Sequence, residues 1–245
     1  MTEFNEGLGI WQILNSNLVT DIISSAGFNL IIFDLEHGLH NTETIQNCLH
    51  TAKLASLFTI ARIPTQQYQN LVPIIDTGID GILFPHIETK YELEKAIEQT
   101  FCYPDGKKSF SPFVPKYKYG SNTEEINNPM LGILIESKVG ISNAKTLIQN
   151  PNVDFVYFGA YDLSVELNKP GDIFDDDVVN NLKFITETAK EFDKKVLSIY
   201  RNTNELKTLT DLGVQFPIAS VDTSQFFLKL KQEYSQYLKI KNLDY

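Results

Sequence analysis

Six apolar runs in this chain end in groups able to do acid–base or electrostatic chemistry: Asp34-Leu35-Glu36-His37-Gly38, Arg62-Ile63-Pro64, Pro85-His86, Glu136-Ser137, Gly159-Ala160-Tyr161-Asp162 and Tyr200-Arg201. Glu136 and Asp162 each follow a run that should be buried, Leu131 to Ile135 and Phe155 to Phe158. Two carboxylates in such surroundings repel unless a cation or a proton lies between them. A carboxylate pair with positions left open for water and substrate oxygens is a common way to hold Mg²⁺ or Mn²⁺. The plainer alternative is that each acid caps the following helix or pairs with a lysine. Arg62 also follows a buried run and needs an anionic partner, either a substrate carboxylate or enolate, or Asp34. His37 comes directly after two acids, and Asp34 or another carboxylate could orient its ring and raise its basicity, as a general base requires. A rival local reading makes Asp34, Glu36, His37 and His40 a metal cluster by themselves, but strand alternation turns Asp34 and Glu36 to one side and leaves His40 on a turn.

Other motifs are missing. Gly7-Leu8-Gly9 has Gln12 where the third glycine of a dinucleotide fingerprint would stand, and Gly106-Lys107-Lys108-Ser109 has Phe101 in place of the first glycine of a P-loop. HExxH and GxSxG do not occur.

The elements that must carry these residues repeat. Eight short apolar runs read as strands: 8–14, 30–34, 57–63, 81–85, 131–136, 154–158, 195–200 and 215–221. Segments with helical spacing separate them, for example Leu18, Ile22, Ile23 and Ala26, or Val178, Leu182, Ile185 and Ala189. Alternating strands and helices predict right-handed βαβ crossovers and a parallel sheet. The 245 residues divide into eight units of about 31, which fits a single (β/α)8 barrel over residues 1–245 better than an open doubly wound sheet. In such a barrel the chemistry sits at the C-terminal ends of the strands, where the charged residues above all fall. Two stretches interrupt the rhythm. Residues 103–128 form a long loop between strands four and five, of the kind that serves as a lid, a binding loop or a mobile insertion. Residues 169–177, with Pro170-Gly171 and Asp175-Asp176-Asp177, read as a solvated turn with an acidic helix start in preference to the alternative, a metal site.

Composition removes several classes. Asp and Glu number 31 against 21 Lys and Arg, a net charge of −10, the wrong sign for a nucleic-acid or anionic-membrane binder. The two cysteines, Cys48 and Cys102, form no disulfide framework and no metal spacing. No apolar stretch approaches the roughly 18 residues of a membrane span, and residues 1–6 lack the features of a signal peptide. The expected location is the cytoplasm.

Taken in order, Gly27-Phe28, Asp34-Leu35-Glu36-His37-Gly38, Ala61-Arg62-Ile63-Pro64, Asp76 to Ile82, Tyr103-Pro104-Asp105-Gly106, Ile135-Glu136 and Gly159 to Ser164 resemble the HpcH/HpaI aldolase/citrate lyase family, in its metal-dependent class II pyruvate aldolase branch. The resemblance runs from about Gly9 to Asp222. It implies a barrel that binds pyruvate or another 2-oxo acid on a divalent metal (Mg, Mn or Co), with Glu136 and Asp162 as the metal ligands. It further implies that Arg62 stabilises the enolate oxygen, that His37 is the acid/base acting on the aldol hydroxyl with Asp34 beside it, and that Asp76 approaches that histidine from a neighbouring subunit. The backbone N–H groups of Gly159, Ala160 and Tyr161 would meet the substrate carboxylate. The reaction expected is reversible cleavage of a 4-hydroxy-2-oxo acid to pyruvate and an aldehyde, which leaves an enolate whose charge a metal and an arginine can share.

Three positions depart from the family pattern: Leu134 replaces the usual glutamine, Gly159-Ala160-Tyr161-Asp162 the usual glycine-proline-alanine-aspartate, and Lys107-Lys108 the usual loop arginine. Lys107 and Lys108 suggest a phosphate or sugar contact. Leu134 and Tyr161 motivate a second reading, in which the same site acts on an acyl-CoA or a sugar acid; a third keeps the barrel as a non-catalytic binding scaffold. Residues 222–238 carry Phe226, Phe227, Leu228, Leu230, Tyr234, Tyr237 and Leu238, too broad an apolar surface for one helix face. Part of it is expected to pack on another subunit of a homo-oligomer, for which a hexamer is one size.

Overall fold

The computed structural model describes residues 4–64, 67–122 and 126–241. Eight parallel strands close into a barrel in sequence order: β1 (Gly9–Gln12), β2 (Leu30–Asp34), β3 (Phe58–Arg62), β4 (Gly81–Phe84), β5 (Met130–Ile135), β6 (Phe155–Phe158), β7 (Lys195–Ile199) and β8 (Phe216–Val221), with β8 pairing back onto β1. The expected (β/α)8 barrel is therefore the observed fold, and each strand core lies where the apolar runs put it. The runs are continuous rather than alternating because both strand faces are covered, one by the barrel interior and the other by helices; Leu30, Ile31, Ile32 and Phe33 of β2 are all fully buried.

Helices α1 (Asn17–Ser25), α2 (Thr42–Leu54), α3 (Tyr68–Asp76), α4 (Lys90–Thr100), α5 (Lys138–Ile148), α6 (Ala160–Glu166), α7 (Asp176–Glu191), α8 (Thr203–Asp211) and α9 (Asp222–Lys241) surround the strands. Several starts are set by side chains. Asn41 with Thr44 and Thr89 with Glu92 form capping boxes, and the Asp175 carboxylate accepts from the Asp177 N–H. Residues 169–177 are thus the acidic helix start expected, with Lys169 paired to Asp175 and Asp177.

Phe4 closes the N-terminal end of the barrel by packing on Phe58, Phe155 and Phe216, with ring centroids 4.4, 5.5 and 4.4 Å away. Gly132 leaves room for this layer, since a Cβ there would lie 2.0 Å from the Phe155 ring.

The long segment between β4 and β5 follows α4, so it leads into the N-terminal end of β5. It is therefore not a lid over the strand C-termini of its own chain. Buried Tyr117, the Phe110–Tyr117 ring contact and the Lys108–Asp76 ion pair (2.8 Å) hold it against α3. No helix among the described residues is long and apolar enough to cross a membrane. Cys48 and Cys102 are both free and buried.

Candidate active site

Pairing between β2 and β3 sets Asp34 opposite Arg62, so the two side chains leave the sheet on the same face. The result is a bidentate pair: Arg62 Nε donates to Asp34 Oδ1 at 2.9 Å and Nη2 to Oδ2 at 2.5 Å, while Nη1 reaches Glu36 Oε2 at 3.0 Å. The Trp11 ring lies under the guanidinium, 4.5 Å from centroid to Cζ, and Trp11 Nε1 donates to the Tyr157 hydroxyl at 2.7 Å. Burial works against the charge on Asp34, but the Arg62 hydrogen bond and charge, with N–H groups from Glu36 and His37, hold its carboxyl below the usual carboxylate range.

Glu136 follows β5 and faces a different environment. Gly159, just past β6, donates its N–H to the Ile135 carbonyl at 2.9 Å, which brings the two strand ends side by side. A Cβ on Gly159 would lie 2.4 Å from that of Glu136, so only glycine permits this approach. The Asp162 carboxyl, in the first turn of α6, comes within hydrogen-bonding reach of Glu136. Burial first, and then the charge of Asp162, push the Glu136 carboxyl up to about 8, against a partial offset from the His86 N–H, which donates to Oε1 at 3.1 Å. The His86 ring follows its backbone, with Nδ1 2.9 Å from Glu136 Oε1 and Nε2 3.6 Å from Glu36 Oε1. His86 adopts φ 55°, in the left-handed region, to make both contacts.

The two halves meet in one cavity of about 320 Å³, whose walls include His37, Arg62, Glu136, Tyr157, Tyr161 and Asp162. Asp34, Trp11, Leu134, Gly159 and Ala160 also line it. Among the described residues, no group of three or more His, Cys, Asp or Glu side chains is placed to hold a metal. Glu136 and Asp162 alone offer two hard oxygen donors, with mutual repulsion that a cation would relieve. This donor set fits an ion that keeps water and substrate oxygens in its remaining positions.

Of the expected site residues, all but Asp76 share this cavity. Asp34 does not orient the His37 ring: its carboxylate is taken by Arg62 and by backbone N–H groups, including that of His37 at 3.2 Å. The His37 ring is 72% exposed, with Nε2 4.0 Å from Glu36. The four-residue cluster of Asp34, Glu36, His37 and His40 does not form, because His40 is buried on the Gln12 carbonyl (3.1 Å) with its ring edge-on to Phe33. Asp76 ends α3 and pairs with Lys108, outside this chain's cavity. Lys107 pairs with Glu98 but stays exposed, whereas Lys108 is buried on Asp76 and within the chain is not free for a phosphate or sugar.

Trp11 and Tyr157 are site components that the strand ends do not announce, while Glu36 and the His86 ring, both at strand ends, take part through Arg62 and Glu136 and not in the roles expected of their neighbours. Tyr157 sits inside a strand, and its partner Trp11 is 146 residues away, so only strand register reveals the pair.

Comparison with known proteins agrees with this fold. A curated 5-keto-4-deoxy-D-glucarate aldolase from Salmonella gallinarum is 27% identical over 227 residues, covering 89% of this chain and 87% of that protein. Among solved structures, an HpcH/HpaI aldolase/citrate lyase family protein from Burkholderia cenocepacia J2315 superposes with a TM-score of 0.87 at 21% identity, over 96% of this chain and 95% of that one. Citrate synthase SbnG gives a TM-score of 0.84 at 22% identity, over 97% and 95% of the two chains. The family model described as HpcH/HpaI aldolase/citrate lyase matches residues 8–227, from the edge of β1 into α9, and the protein belongs to that family of lyases.

Proposed function

We propose that the protein is a metal-dependent aldolase that reversibly cleaves a 4-hydroxy-2-oxo acid to pyruvate and an aldehyde. The observation that carries this reading is the convergence of Glu136 and Asp162 with Arg62 and His37 on one cavity. Glu136 and Asp162 would hold the divalent ion (Mg, Mn or Co), which when bound supplies positive charge beside the oxygens of a 2-oxo acid.

The chain's own groups account for the rest. A guanidinium carries five N–H donors; Asp34 takes two of those on Arg62 and the Glu36 carboxylate lies 3.0 Å from Nη1, which leaves donors for a substrate oxygen. Fixed on both edges and against Trp11, Arg62 needs little reorganisation to stabilise an enolate oxygen as charge develops there. His37, at the open side of the cavity, takes the proton from the C4 hydroxyl as the C3–C4 bond breaks and returns it in the aldol direction. Ala160 and Tyr161 open α6 beside the same cavity, and their N–H groups would meet the substrate carboxylate, whereas the Gly159 N–H is taken by the Ile135 carbonyl.

A keto-deoxy sugar acid, the substrate class named for the Salmonella relative, is the first candidate for the full substrate. Phe226, Phe227, Leu228, Leu230, Tyr234 and Tyr237 of α9 are each more than half exposed, which supports assembly as a homo-oligomer through that helix. Asp76 would then approach His37 of a neighbouring subunit. The two free cysteines and the acidic balance support a cytoplasmic location.

The test is proton exchange. With Mg²⁺, Mn²⁺ or Co²⁺ the protein should exchange the methyl protons of pyruvate for deuterium, followed by NMR; no exchange with any of the three overturns the reading. A melting temperature raised by CoA thioesters and not by pyruvate would favour the acyl-CoA alternative.

A further inference from the structure

We propose that the Tyr157 hydroxyl donates a hydrogen bond to the same substrate oxygen that Arg62 binds, which makes Tyr157 a substrate-binding residue of this barrel. The inference rests on the pyruvate reading above and adds to it a donor from β6.

Strand register supplies the first observation. Leu134 of β5 pairs with Tyr157 of β6, and both side chains line the cavity. Position 134 is leucine, so β5 presents no polar group there and β6 presents a hydroxyl at the paired position.

The hydrogen-bond inventory supplies the second. A phenol has one proton to donate and lone pairs to accept with. The Tyr157 oxygen accepts the Trp11 Nε1–H at 2.7 Å, so the indole uses a lone pair and leaves the phenolic proton free. Among the described residues no protein acceptor takes that proton, although the side chain is almost fully buried. A buried donor without a partner is unfavourable, and a substrate oxygen in the cavity would satisfy it. Burial also pushes the Tyr157 hydroxyl well above its ordinary range, so it stays protonated and acts as a donor, not a base.

Third, one indole serves both groups. Trp11 donates to Tyr157 from its ring edge while its face supports Arg62 at 4.5 Å. Hydroxyl and guanidinium are therefore held on a common support, and their donors converge on the cavity from β6 and β3. Two donors aimed at one oxygen are the arrangement that stabilises a developing oxyanion.

A purely supporting role for Tyr157, in which it only anchors the indole, makes a different prediction, and two variants separate them. Trp11→Phe removes the indole N–H and keeps a ring under Arg62; Tyr157→Phe removes the hydroxyl and keeps the β6 ring. Oxalate, a planar dianion with the shape of the pyruvate enolate, is titrated by calorimetry into each protein in the presence of Mn²⁺, with melting temperatures as a check on folding. Tyr157→Phe should bind oxalate about tenfold more weakly than the parent, and the loss should exceed that in Trp11→Phe. Adding Leu134→Gln to Tyr157→Phe should recover part of the loss by placing an amide donor at the paired position. Equal losses in the two single variants, or no loss in Tyr157→Phe, overturn the inference and leave the aldolase reading standing. A parent protein that binds neither oxalate nor pyruvate with any of the three metals overturns the aldolase reading, and this inference with it.

Discussion

Asp34 and Glu136 are both buried carboxylates at strand ends on one barrel rim, yet their surroundings act on them in opposite directions. Asp34 is held below the usual carboxylate range by a bidentate arginine and two backbone N–H groups. Glu136 has a second carboxyl beside it and is pushed up to about 8. Register explains the contrast: β2 and β3 set an acid opposite a base, whereas the ends of β5 and β6 lead two acids to one place. The Asp34–Arg62 half is complete within the chain and presents fixed donors. The Glu136–Asp162 half reaches electrostatic balance only with a proton or a cation, and under the proposed function that difference would separate the group that orients substrate from the group that holds a metal.

The largest effect should come from the unbalanced half. Glu136→Ala or Asp162→Ala should abolish divalent-metal binding measured by calorimetry and slow pyruvate proton exchange by more than about a hundredfold. Metal affinity retained in both would erase the distinction between the halves. Breaking the balanced half has a different signature. Arg62→Ala leaves Asp34 charged and buried without its partner, so chemical denaturation should show a loss of about 3–5 kcal/mol, while metal binding at Glu136 and Asp162 persists. Arg62→Lys should restore charge without the bidentate geometry and recover little.

A smaller change probes how the acids are brought together. Gly159→Ala places a methyl where the Cβ of Glu136 already stands 2.4 Å away, so Glu136 must move. Metal affinity should fall by about ten- to a hundredfold with the barrel intact by circular dichroism. An unchanged affinity would mean that the approach of β5 and β6 does not set the spacing of the acids.

The sequence makes the barrel legible because strands buried on both faces must read as continuous apolar runs, as β2 and β6 do. The rim acids were legible for the same reason, since a charge that ends such a run has few roles. What stayed hidden depends on register and on where chain segments lie. Trp11 and Tyr157 look like ordinary core aromatics until β1 and β6 are placed in one barrel. Asp34 stands three residues before His37 and was expected to serve its ring, but a partner on β3 satisfies it better with two parallel hydrogen bonds. The loop at 103–128 announced its length; that it follows α4, and so lies at the N-terminal end of the barrel, depended on recognising the helix at 90–100.

The smallest effect tests the comparison through pH. Because the Glu136 carboxyl rises from 4.5 to about 8 on folding, the folded chain holds that proton more tightly than the unfolded chain. Its contribution to stability is full below pH 4.5, declines as the pH climbs to about 8, and is flat beyond. Asp34 has the opposite sign: its lowered carboxyl contributes above the unfolded value of 3.8 and loses that contribution as the pH falls through the folded one. Glu136→Gln keeps the shape and removes the titration, so in metal-free buffer its melting temperature should match the parent near pH 4.5 and exceed it by several degrees at pH 8. Saturating Mg²⁺ should close the gap at pH 8, because the ion binds the folded parent and not the variant. A gap independent of pH would show that the charge of Glu136 carries no folding penalty, and the contrast with Asp34 would then lose its electrostatic basis.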